Sequence, residues 1–282
     1  MMFNTLIDSA TLHDHLQDPA WSVVDCRFDL MQPTAGRTAY QAGHIAGAVY
    51  ADLNQDLSAP VTATSGRHPL PDPQQFAQQV AQWGIGNHSQ VVVYDAGNGM
   101  YAVRLWWMLR WLGHEAVALL DGGLAAWQAQ GLPLTTQPPH PEPARFRPSV
   151  QTDSAVGMAQ VYEGIRGGSI TVVDARAAVR YTGKIEPIDP VAGHIPTALN
   201  YPFEANLDTQ GQFLTAAQLR ARFADLADRA GQVVHMCGSG VTACHNLLAM
   251  EIAGLSGSKL YAGSWSEWVR YDENPVATGD GA

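Results

Sequence analysis

The run Val233-Val234-His235-Met236-Cys237-Gly238-Ser239-Gly240-Val241-Thr242-Ala243-Cys244 sets a cysteine between an apolar stretch and a glycine-bearing loop. Residues 243–253 follow with Leu247, Leu248 and Ile252 at helical spacing. A thiol placed there is ringed by backbone N–H groups at a helix N-terminus, and those donors together with the helix dipole favour a thiolate. Gly238 and Gly240 let the chain curl with its amides turned inward, which a side chain would hinder. The available chemistry is nucleophilic attack by sulfur. Cys26 and Cys244 have no such loop of their own and read as small buried hydrophobes.

The elements that must position Cys237 occur twice. Val23-Val24-Asp25-Cys26-Arg27 recurs as Val172-Val173-Asp174-Ala175-Arg176, and Ala42-Gly43-His44-Ile45 recurs as Ala192-Gly193-His194-Ile195. Val92 to Gly99 recurs as Val233 to Gly240, and Trp127 as Trp268, both at one offset of 141. The period is longer than any solenoid unit, so the chain reads as two copies of one domain. That offset places Ala96 opposite Cys237, which leaves one reactive copy and one that supports it.

In each copy short β-branched runs alternate with helical patterns. The expected strands are 22–25, 91–95 and 116–120, then 171–174, 232–236 and 259–261. The expected helices are 73–83 and 102–112, then 216–228 and 243–253. Continuous apolar strands between helices indicate an α/β fold in which a parallel sheet is covered on both faces. Ligands of such sheets bind beyond the carboxyl ends of the strands, where the Cys237 loop lies. Pro138, Pro139, Pro141 and Pro143 exclude regular structure between the copies. The expected division is a domain over 1–136, a Pro-rich linker over 137–150 and a catalytic domain over 151–282.

A formal charge of −10 argues against a nucleic-acid backbone or an anionic membrane as partner. No apolar run approaches the roughly 18 residues that span a bilayer, and the first residues show no basic-then-apolar leader. Three scattered cysteines do not make a disulfide framework, so a reducing, cytoplasmic setting is expected.

The duplicated halves, the Gly-His-Ile motif and Cys237-Gly238-Ser239-Gly240-Val241-Thr242 resemble the two-domain sulfurtransferases, the family of the rhodaneses and 3-mercaptopyruvate sulfurtransferases. The resemblance spans nearly the whole chain. It implies tandem rhodanese-like domains in which Cys237 carries a persulfide and the amides of Gly238, Gly240, Val241 and Thr242 face the anionic sulfur. The uncharged loop is similar to the mercaptopyruvate branch, whereas thiosulfate-preferring relatives tend to place basic side chains directly after the cysteine. A small anionic sulfur donor and an acceptor such as a thioredoxin-like protein, a small thiol or cyanide are implied. No metal and no cofactor is required, because sulfur serves as both nucleophile and leaving group.

Arg180 matches the family arginine that meets the donor's carboxylate or sulfonate, a task suited to a planar guanidinium. Arg176 reads instead as half of a structural ion pair. The mercaptopyruvate branch commonly carries a second arginine after a Glu-Pro pair, but here Ile188-Asp189 follows Glu186-Pro187. Arg67-His68-Pro69-Leu70-Pro71 resembles the segment whose histidine faces the cleft, so His68 with Ser239 is the expected proton relay. Asp52 lies in the equivalent segment and could assist it, whereas Asn54 stands where relatives often carry another acid. His44 and His194, present in both copies, read as structural.

Other readings are weaker. The pattern Gly238-Ser239-Gly240-Val241-Thr242-Ala243 fits a dinucleotide fingerprint but has no acid at the end of the next strand. A cysteine phosphatase needs an arginine where Ala243 stands. His235, Cys237, Cys244 and His245 do not form a recognised zinc spacing. A thiosulfate-preferring rhodanese and a non-catalytic sulfur carrier remain as alternatives.

Overall fold

The computed structural model describes residues 2–280. Its chain divides into two compact units. The first comprises Met1–Ala59, Leu70–Gln151 and Thr209–Gln212, and the second Pro60–Pro69, Thr152–Asp208 and Phe213–Ala282.

The first unit is built from strands β1 (Leu6–Ile7), β2 (Trp21–Asp25), β3 (Val49–Tyr50), β4 (Gln90–Tyr94) and β5 (Val117–Leu120). Its helices are α1 (Ser9–His15), α2 (Ala35–Ala42), α3 (Pro73–Gln82), α4 (Ala102–Trp111) and α5 (Gly123–Ala129). The strands form one parallel sheet in the order β1-β5-β4-β2-β3. Every residue of β4 is buried, as expected of a central strand covered on both faces. Val23, Val92, Tyr94, Ala118 and Leu120 pack with Leu12, Leu124 and Trp127 in its core.

The second unit repeats the plan with β6 (Ala155–Val156), β7 (Thr171–Asp174), β8 (Leu199–Asn200), β9 (Val233–Met236) and β10 (Lys259–Tyr261) in the order β6-β10-β9-β7-β8, again all parallel. Its helices are α6 (Met158–Gly167), α7 (Ala178–Tyr181), α8 (Ala216–Arg222), α9 (Ala243–Ile252) and α10 (Ser264–Trp268). Helix α9 is buried from Ala243 to Met250. A helix with so little polar face belongs in the centre of its unit, which seats its N-terminus, and the Cys237 loop, against the sheet.

The central strands and the helices after them fall where the apolar pattern puts them. One helix does not. The expected 216–228 ends at Arg222 and gives way to a 3-10 stretch, Ala224–Gln232, with Arg229 out of helical geometry. Phe223 and Leu226 are both fully buried, and the Leu226 amide donates to the Phe223 carbonyl. A three-residue period eclipses the two side chains on the core face.

Each unit fixes its strand end in the same way. Arg27 grips Asp25 and the Gly43 carbonyl, and Arg176 grips Asp174 and the Gly193 carbonyl. His44 and His194 stack on Tyr40 and Tyr181, with each Nδ1 bonded to that tyrosine's carbonyl oxygen. Both histidines are therefore framework. The Pro-rich residues 137–150 contain no helix or strand, and the Ala144 amide ties them to the Ala81 carbonyl of α3. No helix among the described residues is long and apolar enough to cross a membrane.

Candidate active site

Strand β9 delivers Cys237 to the carboxyl edge of the second sheet, and the loop to α9 wraps beneath it. Two glycines make that wrap possible. Gly240 has φ +75°, and a Cβ there would stand 2.3 Å from the Ala262 carbonyl oxygen. A Cβ on Gly238 would meet Arg67 Nη2 at 2.8 Å and the terminal nitrogens of Arg180 at 3.6 Å. The first turn of α10 anchors the loop from the side. Ser264 Oγ accepts from the Cys237 amide at 3.1 Å, while the amides of Trp265 and Ser266 donate to the carbonyls of Cys237 and Gly238. Cys237 itself is 2 % exposed. Among the described residues no protein acceptor meets the amides of Gly238, Ser239, Val241 or Thr242. The backbone therefore carries donors with unused capacity in the five residues after the sulfur.

The residues picked out from the sequence come together around this loop, in the second unit. Ser239 and His68 are both buried, with Ser239 Oγ and His68 Nδ1 joined by a 2.7 Å hydrogen bond. Val241 is buried beside them in the chain, and Thr242 occupies the cap position of α9. Asp52 and Asn54 belong to the first unit, where Asp52 Oδ1 accepts from the amides of Asn54 and Gln55 and closes a turn.

Two cations face Gly238. Arg180 gives Nε and Nη2 to Glu186, at 3.1 and 2.7 Å, and Nη2 also to Asp189 at 3.1 Å. Its Nη1 end remains toward the loop. Arg67 gives Nη1 to Asp189 and its backbone amide to Ser266 Oγ. Its Nε is buried and meets no protein acceptor. Arg67 is a site residue that no sequence motif marks. Its signal was its place beside His68, but nothing local connects residue 67 to residue 238. Glu186 closes the cluster by holding Arg176 and Arg180 together. Burial works against its charged form, but Arg180 and the amides of Ile188 and Asp189 outweigh that and hold the carboxyl below its usual range.

The first unit corrects one expectation: Asp95, and not Ala96, is the counterpart of Cys237. The Cys26 amide donates to the Tyr94 carbonyl as that of Ala175 does to Met236. The Leu124 amide donates to the Asp95 carbonyl as that of Trp265 does to Cys237. The two loops fall back into step only at Gly99 and Gly240, which share φ +75°. The first loop is thus one residue longer, and a single offset read from its glycines misplaces the strand end. Asp95 fills its own loop. Oδ1 accepts from the amides of Gly97 and Gly99, and Oδ2 from those of Tyr101 and Ala102, all at 2.9–3.2 Å. Burial pushes this carboxyl above the usual range, against the pull of the four amides. With both oxygens accepting two N–H groups each, no acceptor is left for a carboxyl proton, and the geometry is that of an anion.

Comparison with known proteins places this geometry among relatives. A model of the rhodanese-like domain matches residues 8–130 and again 158–271. A Pseudomonas aeruginosa protein named "Probable 3-mercaptopyruvate sulfurtransferase" is 47% identical over 279 residues, covering 98% of each chain. Thiosulfate sulfurtransferase of Rattus norvegicus is 33% identical, covering 96% of this chain and 93% of that one. The crystal structure of the Escherichia coli 3-mercaptopyruvate sulfotransferase SseA superposes with a TM-score of 0.81 at 32% identity, over 93% of this chain and 99% of that one.

Proposed function

The chain belongs to the two-domain family of rhodaneses and 3-mercaptopyruvate sulfurtransferases, and from that premise we propose that it moves a sulfane sulfur from 3-mercaptopyruvate to a thiol or cyanide through a persulfide on Cys237. The observation that carries this reading is the Cys237 loop, in which a sulfur is followed by backbone donors with unused capacity and two guanidiniums stand over the adjacent Gly238.

The Cys237 thiolate attacks the donor's sulfur. The donor's C–S bond breaks, its electron pair goes to carbon, and that carbon takes a proton and leaves as pyruvate. His68 and Ser239, already hydrogen-bonded to each other, are placed to move that proton. What remains is Cys237-S–S⁻, whose outer sulfur the loop amides stabilise as an oxyanion hole stabilises developing charge. An acceptor thiolate then attacks the outer sulfur, the S–S bond breaks, and the Cys237 thiolate returns. The donor's carboxylate docks on Arg67 and Arg180, so that Arg67 supplies the second cation that Ile188 does not. Thiosulfate would enter through the same attack, with sulfite leaving. The uncharged loop and the relative at 47% identity support mercaptopyruvate. Three cysteines with no disulfide among the described residues suit a reducing, cytoplasmic setting.

Replacing Cys237 by serine abolishes sulfur transfer while the far-ultraviolet spectrum and melting point stay those of the parent. Turnover retained in that variant overturns the mechanism. Steady-state rates with the two donors side by side decide between them, and a higher kcat/KM for thiosulfate reverses the donor assignment.

A further inference from the structure

Asp189 is the one acid among the described residues with an ion pair to both site arginines. Its side chain is 2 % exposed, against 24 % for Arg67 and 18 % for Arg180. Taking the sulfurtransfer reading as given, we propose that Asp189 is a positioning residue for donor capture: by gripping Arg67 at Nη1 it turns the Nε–Nη2 edge of that guanidinium onto the Cys237 loop.

The geometry is that of a clamp on one corner of a plane. A guanidinium presents carboxylates with two useful edges, and the side-on edge is formed by Nε and one Nη. In Arg180 that edge is spent, since Nε and Nη2 both meet Glu186. In Arg67 no protein acceptor sits on it. Asp189 takes Nη1, Nε has no protein acceptor, and Nη2 stands over Gly238. The clamp is itself held, because the Ile188 and Asp189 amides both donate to Glu186 Oε1 at 3.1 Å. The chain after Glu186 is thereby folded back so that residue 189 points at the arginines. Asp189 touches no reacting atom. It acts through Arg67.

A second role for Asp189, simple charge balance, makes the opposite prediction. Arg67, Arg176 and Arg180 are matched by Asp174, Glu186 and Asp189, so the cluster is formally neutral. Asp189→Asn leaves it one charge positive, and by Coulomb attraction alone the variant should bind an anionic donor more tightly. Orientation requires looser binding. Asparagine offers one uncharged acceptor oxygen to two guanidiniums and sets an NH₂ group against one of them, so the grip on Arg67 weakens.

The test measures the rate at which Cys237 gains one sulfur, by intact-protein mass, against the concentration of 3-mercaptopyruvate and separately of thiosulfate. Asp189→Asn is expected to raise the half-saturating concentration of the preferred donor about ten-fold, the scale of one lost charged hydrogen bond, with the limiting rate unchanged. In an Arg67→Ala background the same substitution should add nothing, because its partner is gone. Arg67→Lys, which keeps the charge but removes the fork, should match Asp189→Asn and serves as the second probe if that variant folds poorly. Tighter donor binding by Asp189→Asn, or an equal penalty with and without Arg67, overturns the proposal while leaving the sulfurtransfer reading intact. Wild-type protein that gains no sulfur from either donor overturns both.

Discussion

The two loops at the carboxyl ends of β4 and β9 are built alike and finished differently. In the first, Asp95 stands at the strand end and four amides converge on its carboxylate. In the second, Cys237 stands there, and its loop amides include several with no protein acceptor among the described residues. A carboxylate oxygen lies three bonds from Cα, through Cβ and Cγ. The outer sulfur of a cysteine persulfide also lies three bonds from Cα, through Cβ and Sγ. On the proposed persulfide mechanism, the first unit holds permanently the kind of anion that the second acquires only during turnover. Duplication gave two related cradles, the first one residue longer. A side chain that closes one of them confines the chemistry to the other.

Exchanging the finishing residue should have the largest effect. Cys237→Asp gives the second loop its own carboxylate, so transfer to cyanide should vanish while the melting temperature holds or rises. Loss of stability in that variant would mean that the second loop does not accept an anion as the first does. Next comes Asp95→Ala, which leaves four amides in a buried loop without their acceptor. We expect a loss of about 3 kcal/mol in urea unfolding, from unpaired donors and a missing helix cap. A loss under about 0.5 kcal/mol would show the carboxylate to be incidental. Asp95→Asn, which keeps one acceptor oxygen, should fall between.

The smallest effect concerns His235, whose counterpart by strand register is Val93. Burial alone pushes the His235 imidazole down to about 3. The unfolded chain binds a proton near its ordinary value of about 6.5 and the folded chain does not, so stability is present above that pH and drains away as pH falls toward 3. The slope is about 1.4 kcal/mol per pH unit. Unfolding free energies at pH 7 and pH 5 should therefore differ more for the parent than for His235→Val. Equal differences would place the imidazole in contact with water.

What the sequence made legible was what a short window contains. Val233 to Thr242 brings strand, cysteine, glycines and helix start within ten residues, and each constrains the next. Central strands showed themselves as apolar runs. The edge strands β1, β3, β6 and β8, of two residues each, are too short for any period to register. The acid and cation that complete the site come from far along the chain. Arg67 and Asp189 are 122 residues apart, and His68 and Ser239 are 171 apart, so no spacing rule links them. The misplacement of Ala96 has the same origin in miniature. One extra residue between strand and glycine is invisible to a fixed offset, and hydrogen-bond register reveals it.

Ten residues from early in the chain, Pro60–Pro69, are counted with the second unit, and four from late in the chain, Thr209–Gln212, with the first. Severing the gene at the Pro-rich stretch would thus deliver two polypeptides, each short of a piece carried off by the other. The later fragment would keep its thiol and lose both Arg67 and His68. Ancestral duplication is still readable in the sheets, yet the halves have since become non-interchangeable lengths of a single string.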